Sequence, residues 1–136
     1  MGSSAKLVLN GEQRSHADAV LEMLGRAHHF ECMVACAKVS ALPGLLTPLE
    51  QALDRGMSAR VAVGLSFHLS EPPLLRKLFD LSKRSAMQLY LSTGDATFHP
   101  KIYATQEPTR GTVIVGSANL TAGGLADNHE ASLRVD

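Results

Sequence analysis

Hydrophobic positions along this chain follow two periods in turn. Residues 15–27, SHADAVLEMLGRA, put Ala17, Val20, Leu21 and Leu24 on one side of a 3.6-residue repeat, and Ser15 with Asp18 can cap its start, which predicts a helix. The apolar run 30–39 reads as a strand. A second helix is expected over 46–56, LTPLEQALDRG, where Thr47 and Glu50 suit a reciprocal cap, Pro48 the first helical position and Gly56 the end. Residues 59–66 read as a short strand, 70–84 return to helical spacing with Leu74, Leu75, Leu78 and Leu81 inward, and 87–92 read as a further strand.

After Ser92 the pattern changes. FHPKIYAT (98–105) and TVIVGSAN (112–119) read as two strands joined by the turn-rich QEPTRG. LTAGGLADN reads as a glycine-rich connection with one helical turn, and HEASLRV (129–135) as a last strand. Strands alternating with amphipathic helices predict right-handed crossovers onto a parallel sheet, to which the hairpin adds antiparallel strands. The expected fold class is α/β, a mixed parallel/antiparallel sheet flanked by helices. Residues 1–136 are expected to form one domain, a catalytic piece of a larger protein.

An apolar fraction of 45% suffices for one continuous core, and Lys plus Arg balance Asp plus Glu at 13 each. The chain therefore lacks the broad positive field that holds a protein on nucleic acid by charge alone, so a polyanion must be gripped locally. No apolar run is long enough to span a bilayer and MGSSAKLVLNG is not a signal peptide, so a cytoplasmic location with no membrane partner is expected. Cys32 and Cys36, four strand positions apart, would lie roughly 13 Å from one another, too far for a disulfide. They read as core.

Candidate chemistry gathers late in the chain. In a strand, residues two apart share a side, so His99 and Lys101 face one way while Phe98, Pro100 and Ile102 face the other. Ser117 and Asn119 repeat that spacing at the end of the next apolar run, and Glu130 follows. This order, HPK followed by GSANLTAGGLADNHE, resembles the phospholipase D superfamily signature. It looks most like the nuclease branch found in metal-independent restriction endonucleases and helicase-associated nuclease domains. Lipid-cleaving members carry an Asp where this chain has Gln106, which argues against the lipid branch.

The resemblance implies a phospholipase D-like fold and a metal-independent phosphodiesterase, most of all a restriction-type DNA endonuclease, with no metal and no cofactor. A neutral histidine, His99, would attack phosphorus to give a phosphohistidine, and a second, protonated histidine would donate to the leaving oxygen. Lys101 and Asn119 would hold the non-bridging oxygens, Ser117 would position the phosphate, and Glu130 would fix a histidine tautomer. One His-x-Lys element per chain implies a homodimer with the two-fold axis through the active site, and DNA recognition by an additional recognition or helicase domain or subunit. Two close imidazoles would share one proton, giving a bell-shaped rate profile with pH.

Other features have plainer readings. His129 points away from Glu130 if the strand is regular and is read as structural; His28 and His29 have no metal-ligand spacing. His68 follows a strand end, where a substrate contact would fit. Arg76, Lys77, Lys83 and Arg84 make the third helix basic, which most often means a solvated face. Two tyrosines, four phenylalanines and no tryptophan give little sign of base stacking. The competing functions are a lipid phosphodiesterase or phosphatidyltransferase, and an inactive binding or dimerisation module.

Overall fold

The computed structural model describes residues 2–136. Helix α1 (His16–Leu24) begins as its sequence requires. The Ser15 hydroxyl accepts from the Asp18 amide and the Asp18 carboxylate accepts from the Ser15 amide, so two otherwise unpaired donors are satisfied. Its buried face is turned toward His16, Ala19, Val20, Met23 and Leu24, with Ala17 and Leu21 only partly covered. Helix α3 (Pro72–Lys83) buries Leu74, Leu78 and Leu81, with Leu75 packed at the margin.

Helix α2 (Leu42–Asp54) starts earlier than Thr47, and the Thr47–Glu50 cap does not form. Pro43 occupies its first turn, a short 3-10 turn at Val39–Ala41 feeds into it, and Pro48 lies inside. Leu45, Leu49, Ala52 and Leu53 are all buried, and this one apolar stripe carries the helix through the proline despite the lost hydrogen bond.

The strands are β1 (Ala5–Leu9), β2 (His29–Val34), β3 (Ser58–Gly64), β4 (Met87–Ser92), β5 (Lys101–Gln106), β6 (Gly111–Gly116) and β7 (Ala131–Val135). They form one sheet in the order β1-β7-β6-β5-β2-β3-β4. β2, β3 and β4 are parallel and all other pairs are antiparallel, as the switch from crossovers to a hairpin implies. β1 has no counterpart in the sequence reading.

The three helices pack on one face of the sheet, over Phe30, Cys32, Val34, Val61, Tyr103 and Ile114. The other face carries Leu7, Leu9, Met33, Tyr90, Val113, Val115, Leu133 and Val135, each 37–67% exposed. No helix among the described residues is long and apolar enough to cross a membrane.

Register fixes where polar side chains emerge. Lys101 pairs with Val34, Ile102 with Val115, and Gly116 with Ser132. The start of β5, the end of β6 and the start of β7 therefore meet the carboxyl ends of β2, β3 and β4 along one rim. In α/β sheets that is where ligands bind, because loops leaving parallel strands there are not closed over by the helices.

Candidate active site

His99, Lys101, Ser117, Asn119 and Glu130 all lie on this rim. β5 begins only at Lys101, so His99 stands just outside the ladder, exposed. Its backbone is nevertheless pinned: the Phe98 amide donates to the Ser66 hydroxyl at 3.3 Å and the Pro100 carbonyl accepts from the Ala35 amide at 2.9 Å. Proline suits the position between them, because it has no amide to leave unpaired and its fixed φ stiffens the approach to His99.

Lys101 is only 8% exposed, beside Val34 at the edge of the core. Its stem is buried and its ammonium reaches out to His99, 2.8 Å from Nδ1, 2.9 Å from Nε2 and 3.2 Å from the His99 carbonyl. Burial lowers its pKa, against the opposing pull of Glu130 and of Cys36. A partly desolvated cation without a carboxylate in ion-pair reach among the described residues is a ready receptor for an anion.

Ser117 and Asn119 lie just beyond the end of β6. Ala118, between them, is buried, and its carbonyl accepts from the Tyr103 hydroxyl at 3.0 Å, so the alternation out-in-out carries past the strand. Asn119 Oδ1 accepts from the Cys36 amide at 3.1 Å. Since a backbone amide can only donate, that contact fixes the amide orientation and leaves Nδ2 as the free, donating end. Leu120 locks the same segment through its amide to the Cys36 carbonyl at 3.2 Å and its carbonyl to the Lys38 amide at 2.9 Å.

The Glu130 carboxylate accepts from the Ser117 hydroxyl and, at 3.4 Å, from Asn128 Nδ2; Ser117 Oγ in turn accepts from the Ala131 amide at 3.0 Å. Within the chain, hydrogen bonds thus join His99 to Lys101 and Ser117 to Glu130. None joins Glu130 to His99. His129 is exposed beside Glu130, and Cys32 and Cys36 are buried free thiols. Cys36 lies beyond the end of β2 rather than within it, and its contribution to the site is the amide that holds Asn119.

Two glycines allow these close approaches. A Cβ on Gly116 would stand 2.3 Å from Ser132 Oγ and 2.4 Å from the Ala131 carbonyl; one on Gly124 would stand 2.4 Å and 2.7 Å from the Asn119 carbonyl and amide. Gly124 belongs to a single π-type turn, Gly123–Asp127, within the glycine-rich connection where one helical turn is expected.

A second layer beneath the rim was not legible in the motif. Asn10 Nδ2 donates to the carbonyls of Gly124 (3.0 Å) and Asn128 (2.9 Å), so its Oδ1 must accept, from the amide and from Nδ1 of the fully buried His16. His16 Nε2 lies 2.8 Å from Ser132 Oγ and, with the proton on Nδ1, accepts from it. Burial lowers the His16 pKa, with Glu130 acting in the opposite direction, so the ring is held neutral. Tyr103, whose pKa burial pushes well up, could have been found by alternation, lying two residues after Lys101 on the same face. His16 could not, since Ser132, the partner of its Nε2, lies at the other end of the chain.

Comparison with known proteins bears on the family and the fold. Residues 20–136 match the family described as cardiolipin synthase, PLD-like domain. No curated protein matches the sequence closely. NucT from Helicobacter pylori superposes with a TM-score of 0.76 at 15% identity, over 99% of this chain and 86% of its own. The phospholipase D family member Nuc from Salmonella typhimurium gives 0.74 at 17%, over 98% and 83%. A yeast tyrosyl-DNA phosphodiesterase variant gives 0.61 at 11%, over 96% and 32%. With its motif residues brought to one rim of the expected sheet and a family match over most of its length, the chain belongs to the phospholipase D superfamily.

Proposed function

We propose that this chain is a metal-independent phosphodiesterase acting on DNA, an endonuclease domain of the superfamily's nuclease branch, working as a homodimer. The observation that carries the reading is the pairing of His99 with a Lys101 that is buried yet lacks an ion-pair partner among the described residues. Together they offer a nucleophile next to a cation kept for a phosphate oxygen. Likeness in fold to a tyrosyl-DNA phosphodiesterase supports DNA as the polymer.

In this scheme a ring nitrogen of His99 attacks phosphorus, forming a P–N bond as the P–O ester bond breaks. The leaving oxygen takes a proton from the imidazolium of the partner's His99. Water then attacks phosphorus while that imidazole, now neutral, takes its proton; the P–N bond breaks and both rings return to their starting states. Lys101 and Asn119 Nδ2 donate to the non-bridging oxygens, where negative charge concentrates in the transition state. Ser117 holds the Glu130 carboxylate at the rim, and Glu130 serves as acceptor for a histidine N–H across the dimer axis. Recognition of a DNA site falls to a further domain or subunit.

The test is cleavage of plasmid and of single-stranded circular DNA in EDTA by wild type and His99→Ala. Cleavage by the wild type alone is expected. Activity that disappears in EDTA and returns with Mg²⁺, or that survives in His99→Ala, would sink the reading. Parallel incubation with phospholipid vesicles addresses the lipid branch, and turnover there without DNA cleavage would select it instead.

A further inference from the structure

The loop between β3 and α3 is built in a way that the fold does not need. Phe67 and His68 both lie in the left-handed region, at φ 61° and 54°, although neither is glycine or asparagine. Left-handed backbone is unfavourable for a bulky side chain, and two such residues in succession store strain. Burial does not repay it, because Phe67 is 71% exposed and Leu69 on the same loop is exposed as well.

The strain is held in place by a ring of hydrogen bonds. The Ser70 hydroxyl donates to the Gly64 carbonyl at 2.7 Å and accepts from the Ala37 amide at 3.2 Å, closing the base of the loop. The Cys36 thiol donates to the Leu69 carbonyl at 3.4 Å and the His68 amide to the Leu65 carbonyl at 3.4 Å. Ser66 accepts from Phe98, the residue before His99, so the loop is tied directly to the catalytic segment. Cys36, in turn, holds Asn119. Each residue flanking Phe67 is therefore fixed relative to the phosphate site, while the ring itself stands in solvent.

An exposed aromatic ring on a loop tied to the segment before His99 has one evident use on a nucleic acid. Bases in a duplex are stacked inside and cannot reach such a ring, whereas an unpaired base presents its face. The same loop and the start of α3 line a cleft of about 260 Å³, formed by Leu65, His68, Ser70, Pro72 and Leu75. Lys38 follows the Cys36–Ala37 segment on the same rim and forms no ion pair among the described residues, so it is free for a neighbouring phosphate.

We propose that Phe67 is a stacking platform for an unpaired nucleobase next to the scissile phosphate, making single-stranded or locally opened nucleic acid the preferred substrate class. This rests on the phosphodiesterase reading above and deepens it. Aromatic count alone pointed the other way; position on the rim outweighs it.

The test is equilibrium binding, by fluorescence anisotropy at one fixed salt concentration, in a His99→Ala background that prevents turnover. The ligands are a labelled oligothymidylate, an abasic strand of the same length, and a duplex. The parent should bind the base-bearing strand about tenfold more tightly than the abasic strand or the duplex, the scale of one base–aromatic stack. Adding Phe67→Ala or Phe67→Gly should abolish that preference, and Phe67→Trp should keep it. Phe67→Gly also relieves the left-handed backbone, so its thermal midpoint should be no lower than the parent's, which separates lost stacking from misfolding. A parent without preference, or one whose preference survives Phe67→Ala, overturns the proposal. If the wild type cleaves DNA in EDTA while no preference is found, only this inference falls; if the chain neither binds nor cleaves any strand, both fall.

Discussion

At the amino ends of β2, β3 and β4, several charges are neutralised locally, while Arg55 donates to the Leu24 carbonyl. Glu107 lies 3.4 Å from Arg26 and 3.1 Å from Arg110, and Arg84 pairs with Glu50. At the carboxyl ends, Lys101 and Lys38 lack ion-pair partners among the described residues, and the Glu130 carboxylate is held by a hydroxyl and an amide instead of a cation. On the proposed reading, the amino end serves the fold and the carboxyl end serves a ligand. Charges that satisfy each other leave nothing for an anion, while a buried lysine without a partner costs stability until an anion arrives.

The strongest test of that contrast is Lys101→Met. Removing a donor aimed at developing charge should cut phosphodiester hydrolysis by about 10²–10³. The thermal midpoint should hold or rise, because an apolar stem replaces a desolvated charge. A midpoint well below wild type would show that Lys101 holds the fold together and would break the comparison.

Next in size is Gly116→Ala, which forces a methyl group against Ser132 and the Ala131 carbonyl where β6 meets β7. Urea unfolding should show a loss of about 1–3 kcal/mol, the usual cost of overpacking, with activity falling too because Ser117 is displaced. Wild-type stability in this variant would mean that the two strands do not approach so closely.

The pH dependence of folding probes the layer beneath the rim. The pKa of His16 is lowered in the folded state, so the unfolded chain binds its proton more readily. The contribution of the neutral ring is complete above the unfolded value of about 6.5 and is lost as pH falls through the lower folded value. Denaturation midpoints measured from pH 7.5 downward should therefore drop below about pH 6.5. In His16→Gln that decline should flatten until the carboxylates begin to titrate.

The smallest effect belongs to the amino end. Glu107→Gln removes two ion pairs and should cost no more than about 1 kcal/mol in urea titration, with the hydrolysis rate unchanged. A rate change there would blur the division between the two ends.

Much of the architecture could be read from local pattern. The Ser15–Asp18 cap, the Leu74–Leu78–Leu81 stripe and the change from crossovers to a hairpin after Ser92 each depend on neighbours in sequence. Strand β1 was hidden because only Val8 in it is buried and its partner, β7, lies at the other end of the chain. The start of α2 was misplaced because Pro48 mimics a first helical residue, and the buried stripe that carries the helix past it is a tertiary fact. The motif residues were legible because HPK, GSAN and the downstream Glu130, in that order, resemble the phospholipase D superfamily signature. The strain at Phe67 was not, since φ at a loop residue is set by the contacts that close the loop.

By itself the sequence determined which segments are helix or strand over most of the chain, and which polar residues stand apart from the apolar pattern late in it. Propensity, capping and periodicity act within a few residues of each position. Only the tertiary structure decided that His99, Lys101, Ser117, Asn119 and Glu130 share one rim, that Cys36 orients Asn119, and that the loop carrying the exposed Phe67 is tied to the segment before His99. Those outcomes depend on strand order and register, which are fixed when the whole apolar face is buried at once.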